Sequence, residues 1–449
     1  MKKIIINTVY LLVLLFGFSC KKLISVPSPP TQLTNDKVFD NSSAAIAATA
    51  NLYTVLGTVD GNFIQQVGTY TDEFVTTNVD EKSAEFAKSA LLATNTSVLS
   101  VWQNLYKTIY NANAVIGGLQ SSSRLPDSIR NQCLGEALFM RAYCHFMLTN
   151  IYGDVPLITS TNVTINASAS RVSSNLVEQQ VITDLKSAAA LLPTAYTGSG
   201  EKVRANKWAA TALLAKAYLY TGDFKDSEIA TSAIINSGQY ALTNLNSVFL
   251  ANSNEAILQL WNMNGYTTLN SIPSSGEPIY QVAPSLLNAF EAGDQRLTNW
   301  INSTSPSGTT YYYSYKYKQN SPVSGSSAEY TMYLRLGEIY LIRAEARAQQ
   351  SGEFTLAASD LNIIRNRAGL GNTNAVSQTD LLLAIFHERQ VELFNENGNR
   401  FFDLRRSGTI NSVLSALKPF WKFTGNVFPI PQSEVLQDPH LTENPGYTY

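Results

Sequence analysis

The stretch LAKAYLYTGDFKDSEIATSAI, residues 214–234, recurs with the same spacing as AEARAQQSGEFTLAASDLNII, residues 344–364. In each copy a glycine, Gly222 or Gly352, follows an apolar helical pattern, and a phenylalanine comes two positions later. Small and apolar residues then continue at three- and four-residue intervals, which is the period of one helix face. Because glycine commonly ends a helix, each copy predicts two helices joined by a short turn.

This repeat resembles the tetratricopeptide helix pair, although Ser227 and Thr231 depart from the alanine and large apolar residue that are usual at their positions. Such pairs stack side by side and bury a continuous core. Helical periodicity covers residues 42–56, 98–119, 128–152, 176–192, 207–220, 226–235, 333–350, 354–367 and 379–395. Between about residues 240 and 330 it gives way to short apolar runs and Ser/Gly/Pro/Asn clusters. The sequence therefore predicts a mainly α fold of tetratricopeptide-like helix pairs with a strand-and-loop insertion.

The first residues have the features of an export signal. Two lysines precede an apolar run from Ile4 to Phe16, which is shorter than the ~20 residues of a membrane-spanning helix. The run ends in Gly-Phe-Ser before Cys20, and this cysteine resembles the lipobox position of bacterial lipoproteins, whose thiol carries the lipid. We therefore divide the chain into three parts: a signal peptide at 1–19, lipidated Cys20 with a Pro-rich spacer at 20–30, and a single domain at 31–449.

The composition disfavours a nucleic-acid-binding protein. The chain contains 32 basic and 34 acidic residues, a formal net charge of −2, whereas nucleic-acid binding requires a basic surface. Charged residues make up only 15% of the chain, and tyrosine alone contributes 23 residues. A polar, weakly charged and tyrosine-rich surface suits neutral ligands that carry many hydroxyl groups.

No motif indicates catalysis, a cofactor or a metal site. His387 and Glu388 begin like the zinc-binding H-E-x-x-H pattern, but the second histidine position is Val391. Cys133 and Cys144 lie too far apart on one predicted helix to form a disulfide, and we expect both in the core. Paired carboxylates of a glycosidase are not recognisable from spacing, so a secreted lipoprotein hydrolase on an α-helical scaffold stays the alternative to a non-enzymatic binding protein.

Four further motifs resemble the SusD/RagB family and occur in that family's order: EALFMRAYCHFMLTNIYGDVPL at 136–157, YLRLGEIYLIRAEA at 333–346, ERQVELFNENGNRFFDLRRSG at 388–408 and FPIPQSEVLQDPHLTENPGY at 428–447. The resemblance implies a lipid-anchored protein of the cell outer membrane, exposed at the surface. It also implies capture of oligosaccharides, or of oligopeptides in a variant of the family, and delivery to a SusC-type TonB-dependent transporter. The many charged residues of these motifs are expected to form ion pairs, because buried charges persist only when paired.

Ligand contacts are expected where the resemblance is weakest, in residues 60–95 and 240–330. Exposed aromatic faces and nearby amide and carboxyl groups are what capture of a sugar or peptide requires. Tyr70, Asp72 and Phe74 follow Gly61 in a predicted loop. The candidates in order of preference are Trp300, Tyr266, Tyr70, Asp72 and Phe74.

Two other aromatic features of the second stretch are interpreted as structural. Trp261 closes the apolar run that begins at Ala256, so we expect it in the core. The tyrosines at alternate positions from Tyr311 to Tyr317 predict a strand with one face toward the core.

Overall fold

The computed structural model describes residues 38–267, 269 and 276–448. The predicted signal peptide at 1–19, the lipidation site Cys20 and the spacer at 20–30 lie outside the described residues, so these assignments stay predictions. None of the helices in the described ranges combines the length and the hydrophobicity of a membrane-spanning segment. Helices dominate these ranges and the strands are short, which confirms the predicted mainly α fold.

Helices make up most of the N-terminal part: α1 Ser42–Tyr70, α2 Glu81–Lys88, α3 Thr96–Ser121, α4 Asp127–Tyr152, α5 Val163–Asn166 and α6 Ser174–Leu191, with strands β1 Phe74–Thr76, β2 Val155–Pro156 and β3 Arg171–Val172 between them. The prediction that a loop begins after Gly61 is wrong, because α1 continues to Tyr70. Glycine inside a helix costs about 1 kcal/mol relative to alanine. Burial of Phe63, Ile64 and Val67 on the following turns outweighs that cost.

The first predicted helix pair consists of α7 Lys207–Thr221 and α8 Phe224–Asn236. Gly222 joins them with φ +81°, a left-handed conformation that favours glycine. The unusual Ser227 is fully buried, and its hydroxyl donates to the Ala215 carbonyl at 2.9 Å. A buried hydroxyl needs such a partner, so this copy of the repeat tolerates serine where alanine is usual.

Short strands and helices form the region of the predicted insertion: β4 Ala256–Leu260, β5 Tyr280–Val282, α9 Pro284–Leu287, α10 Gln295–Trp300, β6 Ile301–Thr304, β7 Tyr311–Ser314 and β8 Thr331–Arg335. The described strands pair antiparallel as β1–β5, β2–β3, β4–β8 and β6–β7. Tyr313 and Tyr317 are buried, as expected for a side that faces the core. The strand ends at Ser314, however, and Ser314 and Lys316 on the opposite side are buried as well.

The second helix pair consists of α11 Leu336–Ala348 and α12 Phe354–Arg367, and α8 packs against α11 so that the two pairs stack. The helix predicted from Tyr333 begins three residues later, because Tyr333 to Arg335 belong to β8, which pairs with β4. Periodicity alone could not separate a buried strand from the helix that follows it directly.

The C-terminal part contains α13 Gln378–Glu392, α14 Asn399–Arg406, α15 Ile410–Leu417 and α16 Gln432–Gln437. Its side chains fasten the end of α4. Arg405 Nη1 donates to the carbonyls of Thr149 at 3.0 Å and Asn150 at 2.7 Å, and Asn444 Nδ2 donates to the Tyr152 carbonyl at 2.8 Å. Together with the Gly153 amide, which donates to the Thr149 carbonyl at 3.0 Å, these contacts satisfy the carbonyls at the helix end, so the family motifs that supply them act in the architecture.

One hydrophobic cluster extends from Phe39 to Leu441 and therefore includes residues from both ends of the described chain. Cys133 and Cys144 are buried and unpaired within it, as expected for small core residues. A second cluster lies under the insertion and includes Trp300 and Phe394. The insertion thus has its own core, which packs beside the helical one.

Ion pairs join the insertion to α13. Glu392, which is fully buried, accepts hydrogen bonds from Arg335 Nη1 at 2.7 Å and Arg296 Nη1 at 2.9 Å, and also from Arg367. Burial alone would raise the pKa of Glu392, but the positive charges of Arg367, Arg335 and Arg296 outweigh it and hold the pKa well below its usual range. The predicted pairing of the motif charges is confirmed here, and the role of these residues is structural.

Candidate functional site

Trp300, the first candidate, is fully buried. Its Nε1 donates to the Leu245 carbonyl at 2.8 Å, and its ring contacts Phe249 edge-on at a centroid distance of 5.7 Å. The Lys316 ammonium lies 4.7 Å from the centre of the ring. The prediction that Trp300 is exposed is wrong, because α10 turns this side chain into the second hydrophobic cluster.

The candidates near the end of α1 are buried as well. Tyr70 has no exposed surface, and its hydroxyl donates to the Gly425 carbonyl at 2.8 Å. Phe74 is 1% exposed and packs against Gly68. Asp72 accepts from Arg400 Nε at 2.8 Å and Nη2 at 2.7 Å, a bidentate ion pair. The predicted exposure of Tyr70, Phe74 and Asp72 is therefore wrong, and in this conformation their roles are packing and pairing.

Trp261 shows the opposite error, because it was predicted to be buried and is exposed. We expected it in the core, but 53% of its surface is exposed, and Met263 beside it is 78% exposed. Tyr266, the second candidate, is half-buried and lies five positions beyond Trp261. Of the aromatic residues singled out from sequence in the insertion, Trp261 thus presents the largest free ring surface within the described chain.

Two clefts meet at Trp261, with volumes of about 610 and 410 Å³. Four residues line both clefts: Glu201, Trp261, Asn262 and Met263. The larger cleft extends toward Tyr53 and Gly57 of α1, and the smaller one toward Asn252 and the loop around Gly325. The indole therefore forms a ridge with accessible space on both sides. We call this surface, defined by the four shared residues, the Trp261 surface.

The backbone under the Trp261 surface is held in place by sheet and turn geometry. Trp261 directly follows β4, whose last residue Leu260 pairs with Thr331 of β8. Beyond it the chain turns at Gly265, with φ +66°. A Cβ atom there would lie 2.0 Å from the Val323 carbonyl oxygen, so only glycine permits this approach. These constraints hold the backbone that carries the indole in place before any ligand binds.

Polar side chains surround the ring. Glu201 accepts from Ser199 Oγ at 2.9 Å and from Asn252 Nδ2 at 3.5 Å, which holds its carboxylate beside the clefts. Tyr330 lines the smaller cleft. Burial raises the pKa of Tyr330, as does the negative charge of Glu201, whereas a hydrogen bond with the Trp261 side chain lowers it. The phenol therefore stays protonated at neutral pH and can donate or accept a hydrogen bond.

Positive charge near the clefts is already neutralised or turned away. Arg204, which lines the larger cleft, donates through Nε to the buried Glu136 at 2.8 Å. The Lys202 ammonium donates to the Ser253 carbonyl at 2.8 Å and lies 5.1 Å from the centre of the Tyr240 ring. Glu201 is the one carboxylate among the described residues that line the two clefts. This combination of a ring, amides, hydroxyls and one carboxylate suits an uncharged, hydroxyl-rich ligand.

Within the described chain, no three His, Cys, Asp or Glu side chains come close enough to hold a metal ion. Reading the sequence missed Trp261 because it ends an apolar run. A usable signal follows it: the segment Asn262-Met263-Asn264-Gly265 has the composition of a turn. A tryptophan directly after the last paired residue of a strand is covered by the sheet on one side only. The turn composition after Trp261 would therefore have indicated an exposed ring.

Comparison with known proteins covers most of the chain. Residues 28–219 match the family model described as "Starch-binding associating with outer membrane", and residues 290–447 match the model described as "SusD family". The SusD-like protein P2 of Formosa agariphila is 27% identical, with 79% of this chain and 81% of that protein covered. The SusD-like protein P25 of the same organism is 23% identical, with 98% of each chain covered.

Solved structures share the fold. A SusD superfamily protein from Bacteroides vulgatus superposes with a TM-score of 0.80 at 20% identity, covering 91% of this chain and 99% of that one. A laminarin-binding SusD-like protein superposes with a TM-score of 0.77 at 24% identity, covering 91% of this chain and 100% of that one. Trp261 lies between the two stretches that the family models match.

Proposed function

Because the chain belongs to the SusD/RagB family of carbohydrate-binding proteins, we propose that it captures neutral oligosaccharides on the Trp261 surface and breaks no bond in them. The observation that carries the proposal is the exposed indole of Trp261 between two clefts. A flat aromatic ring covers the C–H-rich face of a pyranose, while amides and hydroxyls beside it take the hydroxyl groups.

The chemistry around the ring favours an uncharged glycan. Glu201 is the charged residue that lines both clefts. The nearby cations are bound to other groups, Arg204 to Glu136 and Lys202 to the Ser253 carbonyl. An anionic glycan would bring its negative charges toward Glu201 without a free cation to offset them. Tyr266 is proposed as a weaker second contact, because it is half-buried at the end of the segment that carries the indole.

Delivery to a SusC-type TonB-dependent transporter and anchoring through lipidated Cys20 complete the proposal. Support comes from the sequence resemblance and from the outer-membrane association in the description of the matching family model. Cys20→Ala is expected to leave a folded protein that no longer partitions with membranes. Retention of this variant on membranes after a high-salt wash, in a host that lacks SusC-type transporters, would contradict the lipid anchor.

The hydrolase alternative makes a different prediction. Glycosidases generally place two carboxyl groups around the scissile bond. Glu201 has no carboxylate partner among the described lining residues of its two clefts. Incubation of the protein with each glycan that it binds, followed by chromatography of the products, is expected to return the glycan at its original length.

Native affinity gels test the proposal. Gels cast with laminarin, soluble starch or arabinoxylan would be run with the wild type, with Trp261→Ala and with Phe423→Ala, a control whose ring is 69% exposed at a distant site in the sequence. We expect at least one polysaccharide to retard the wild type and the control but not Trp261→Ala. Equal retardation of all three proteins would overturn the Trp261 surface as the site. A peptide array run in parallel tests for oligopeptide capture. Binding to peptides but to none of the polysaccharides would show that the ligand is a peptide and not a glycan.

A further inference from the structure

A third cleft borders α1 close to the larger cleft of the Trp261 surface. It has a volume of about 690 Å³ and lies between the start of α1 and the second half of α3. Its lining includes Asp40, Asn51, Tyr110, Asn111, Gly117 and Ser121. Like the Trp261 surface, it combines an aromatic ring with amides and hydroxyls, and it contains no nearby group of metal ligands among the described residues.

Tyr110 supplies the ring of this cleft. It projects from α3 with 46% of its surface exposed. Asn51 is exposed and Asn111 is half-exposed. None of these three side chains hydrogen-bonds to another residue in the part of the chain that the structure describes, so their donors and acceptors are available to a ligand.

Gly117 has no structural explanation within the described protein. It lies inside α3 beside Gly118, and a glycine inside a helix is unfavourable. A Cβ at Gly118 would collide with the Phe39 ring at 2.1 Å, which explains that glycine. A Cβ at Gly117 would meet nothing within 4 Å. Glycine is also the residue that lets a ligand approach the backbone closely, and Gly117 faces this cleft.

The third cleft and the Trp261 surface meet across one turn of α1. Asn51 lines the third cleft, and Thr54 lines the larger cleft of the Trp261 surface. Both side chains are exposed. Residues three positions apart on a helix are neighbours, with Cβ atoms about 5–6 Å apart. A chain-like ligand on Trp261 can therefore continue over this turn and reach Tyr110.

We infer that the third cleft is a second glycan-contact site, which takes a more distant segment of the same neutral polysaccharide that Trp261 holds. Tyr110 serves as the stacking platform and Asn51 and Asn111 as hydrogen-bonding partners. The inference rests on the proposed function. A second contact on a tethered chain acts at high effective concentration, so it strengthens binding of long chains and leaves short ones unaffected.

Chain-length dependence tests the inference. Titration calorimetry would compare the polysaccharide that retards the wild type in the affinity gels with its trisaccharide. Tyr110→Ala is expected to weaken binding of the polysaccharide about tenfold, with no change for the trisaccharide. Tyr312→Ala, in which the lost ring is similarly exposed at 43%, serves as the matched control and is expected to bind both as the wild type does.

Gly117→Gln provides a second variant whose folding is not in question, because its Cβ enters open space and glutamine favours helix. It is expected to melt no earlier than the wild type and to weaken binding of the polysaccharide by blocking the cleft. If both variants bind the polysaccharide like the wild type while Trp261→Ala does not, the second site is refuted and the proposed function stands. If no polysaccharide in the panel retards the wild type, the proposed function is overturned and the inference with it.

Discussion

Trp261 and Trp300 lie in the same variable insertion, yet one is half exposed and the other has no exposed surface. Their neighbours in sequence suggest the reverse, since Trp261 ends an apolar run and Trp300 stands among polar residues. The difference arises from what each element packs against. Trp261 stands where β4 leaves its sheet, whereas α10 carries Trp300 into a core with Phe249 and Phe394. Burial in this insertion therefore follows tertiary contacts and not the local polarity of the sequence.

The largest expected effect concerns the buried side of this comparison. A chain that ends at Gly398 lacks Phe401, Phe402 and Phe428, which are almost fully buried in the main cluster. Loss of a buried aromatic side chain costs about 3–5 kcal/mol, so three such losses exceed the stability of most domains. We expect no cooperative unfolding transition in circular dichroism. An unchanged melting curve would refute the single-domain prediction for residues 31–449.

Trp300→Ala tests the buried tryptophan directly. Removing this ring leaves a cavity beside Phe249 and removes an aromatic face from the Lys316 ammonium. We expect a loss of about 3–5 kcal/mol in the free energy of unfolding, measured by urea titration. Any folded fraction should bind the glycan as the wild type does. A variant that melts normally but no longer binds would return Trp300 to the ligand site.

A buried carboxyl near the end of α1 should make stability depend on pH. Burial raises the pKa of Glu73 from 4.5 to about 8, and the negative charge of Asp72 adds to this effect. Because the folded protein then binds the proton more tightly than the unfolded chain, the contribution of Glu73 is complete below pH 4.5 and is lost as pH rises to about 8.

Glu73→Gln should remove this dependence. Urea unfolding at a series of pH values is expected to show a decline in wild-type stability of about 3 kcal/mol between pH 5 and 8 from this group, and a flatter profile for the variant. Identical profiles for wild type and Glu73→Gln would contradict the shifted pKa.

Trp261→Ala should affect binding and hardly affect folding. An anchoring aromatic typically contributes about 1–3 kcal/mol to binding, whereas exposed substitutions usually change stability by less than about 0.5 kcal/mol. Calorimetric titration with the retained polysaccharide and a melting curve measure the two effects. Early melting with normal binding would make Trp261 a core residue after all.

Tyr266→Ala is expected to have the smallest effect. Its side chain is half-buried and lies beyond the turn at Gly265, so a ligand can contact only part of the ring. We expect binding of the polysaccharide to weaken by less than about 1 kcal/mol. A larger loss than that of Trp261→Ala would move the centre of the site toward Tyr266.

Much of the scaffold could be predicted from the sequence, because its helices satisfy local rules. Phe354–Arg367 begins and ends at the predicted residues, and the glycines of both helix pairs stand where the chain turns. The start of α11 could not be predicted in the same way, since the buried strand that ends at Arg335 continues into it without a polar break.

The site was less accessible to prediction, for a physical reason. Exposure of Tyr70 or Trp300 depends on residues far away in sequence, such as Gly425 and Leu245, whose carbonyls accept their hydrogen bonds. Asp72 pairs with Arg400, more than 300 positions away. Spacing along the chain carries no information about such partners. The turn composition after Trp261 was the one local indication of an exposed ring.

A crystal structure with the retained oligosaccharide would test the central claim most directly. We predict a pyranose ring lying on the face of the Trp261 indole, with hydroxyl groups within hydrogen-bonding distance of Asn252, Asn262 or Glu201. An oligosaccharide bound elsewhere, with the Trp261 ring still open to solvent, would contradict it.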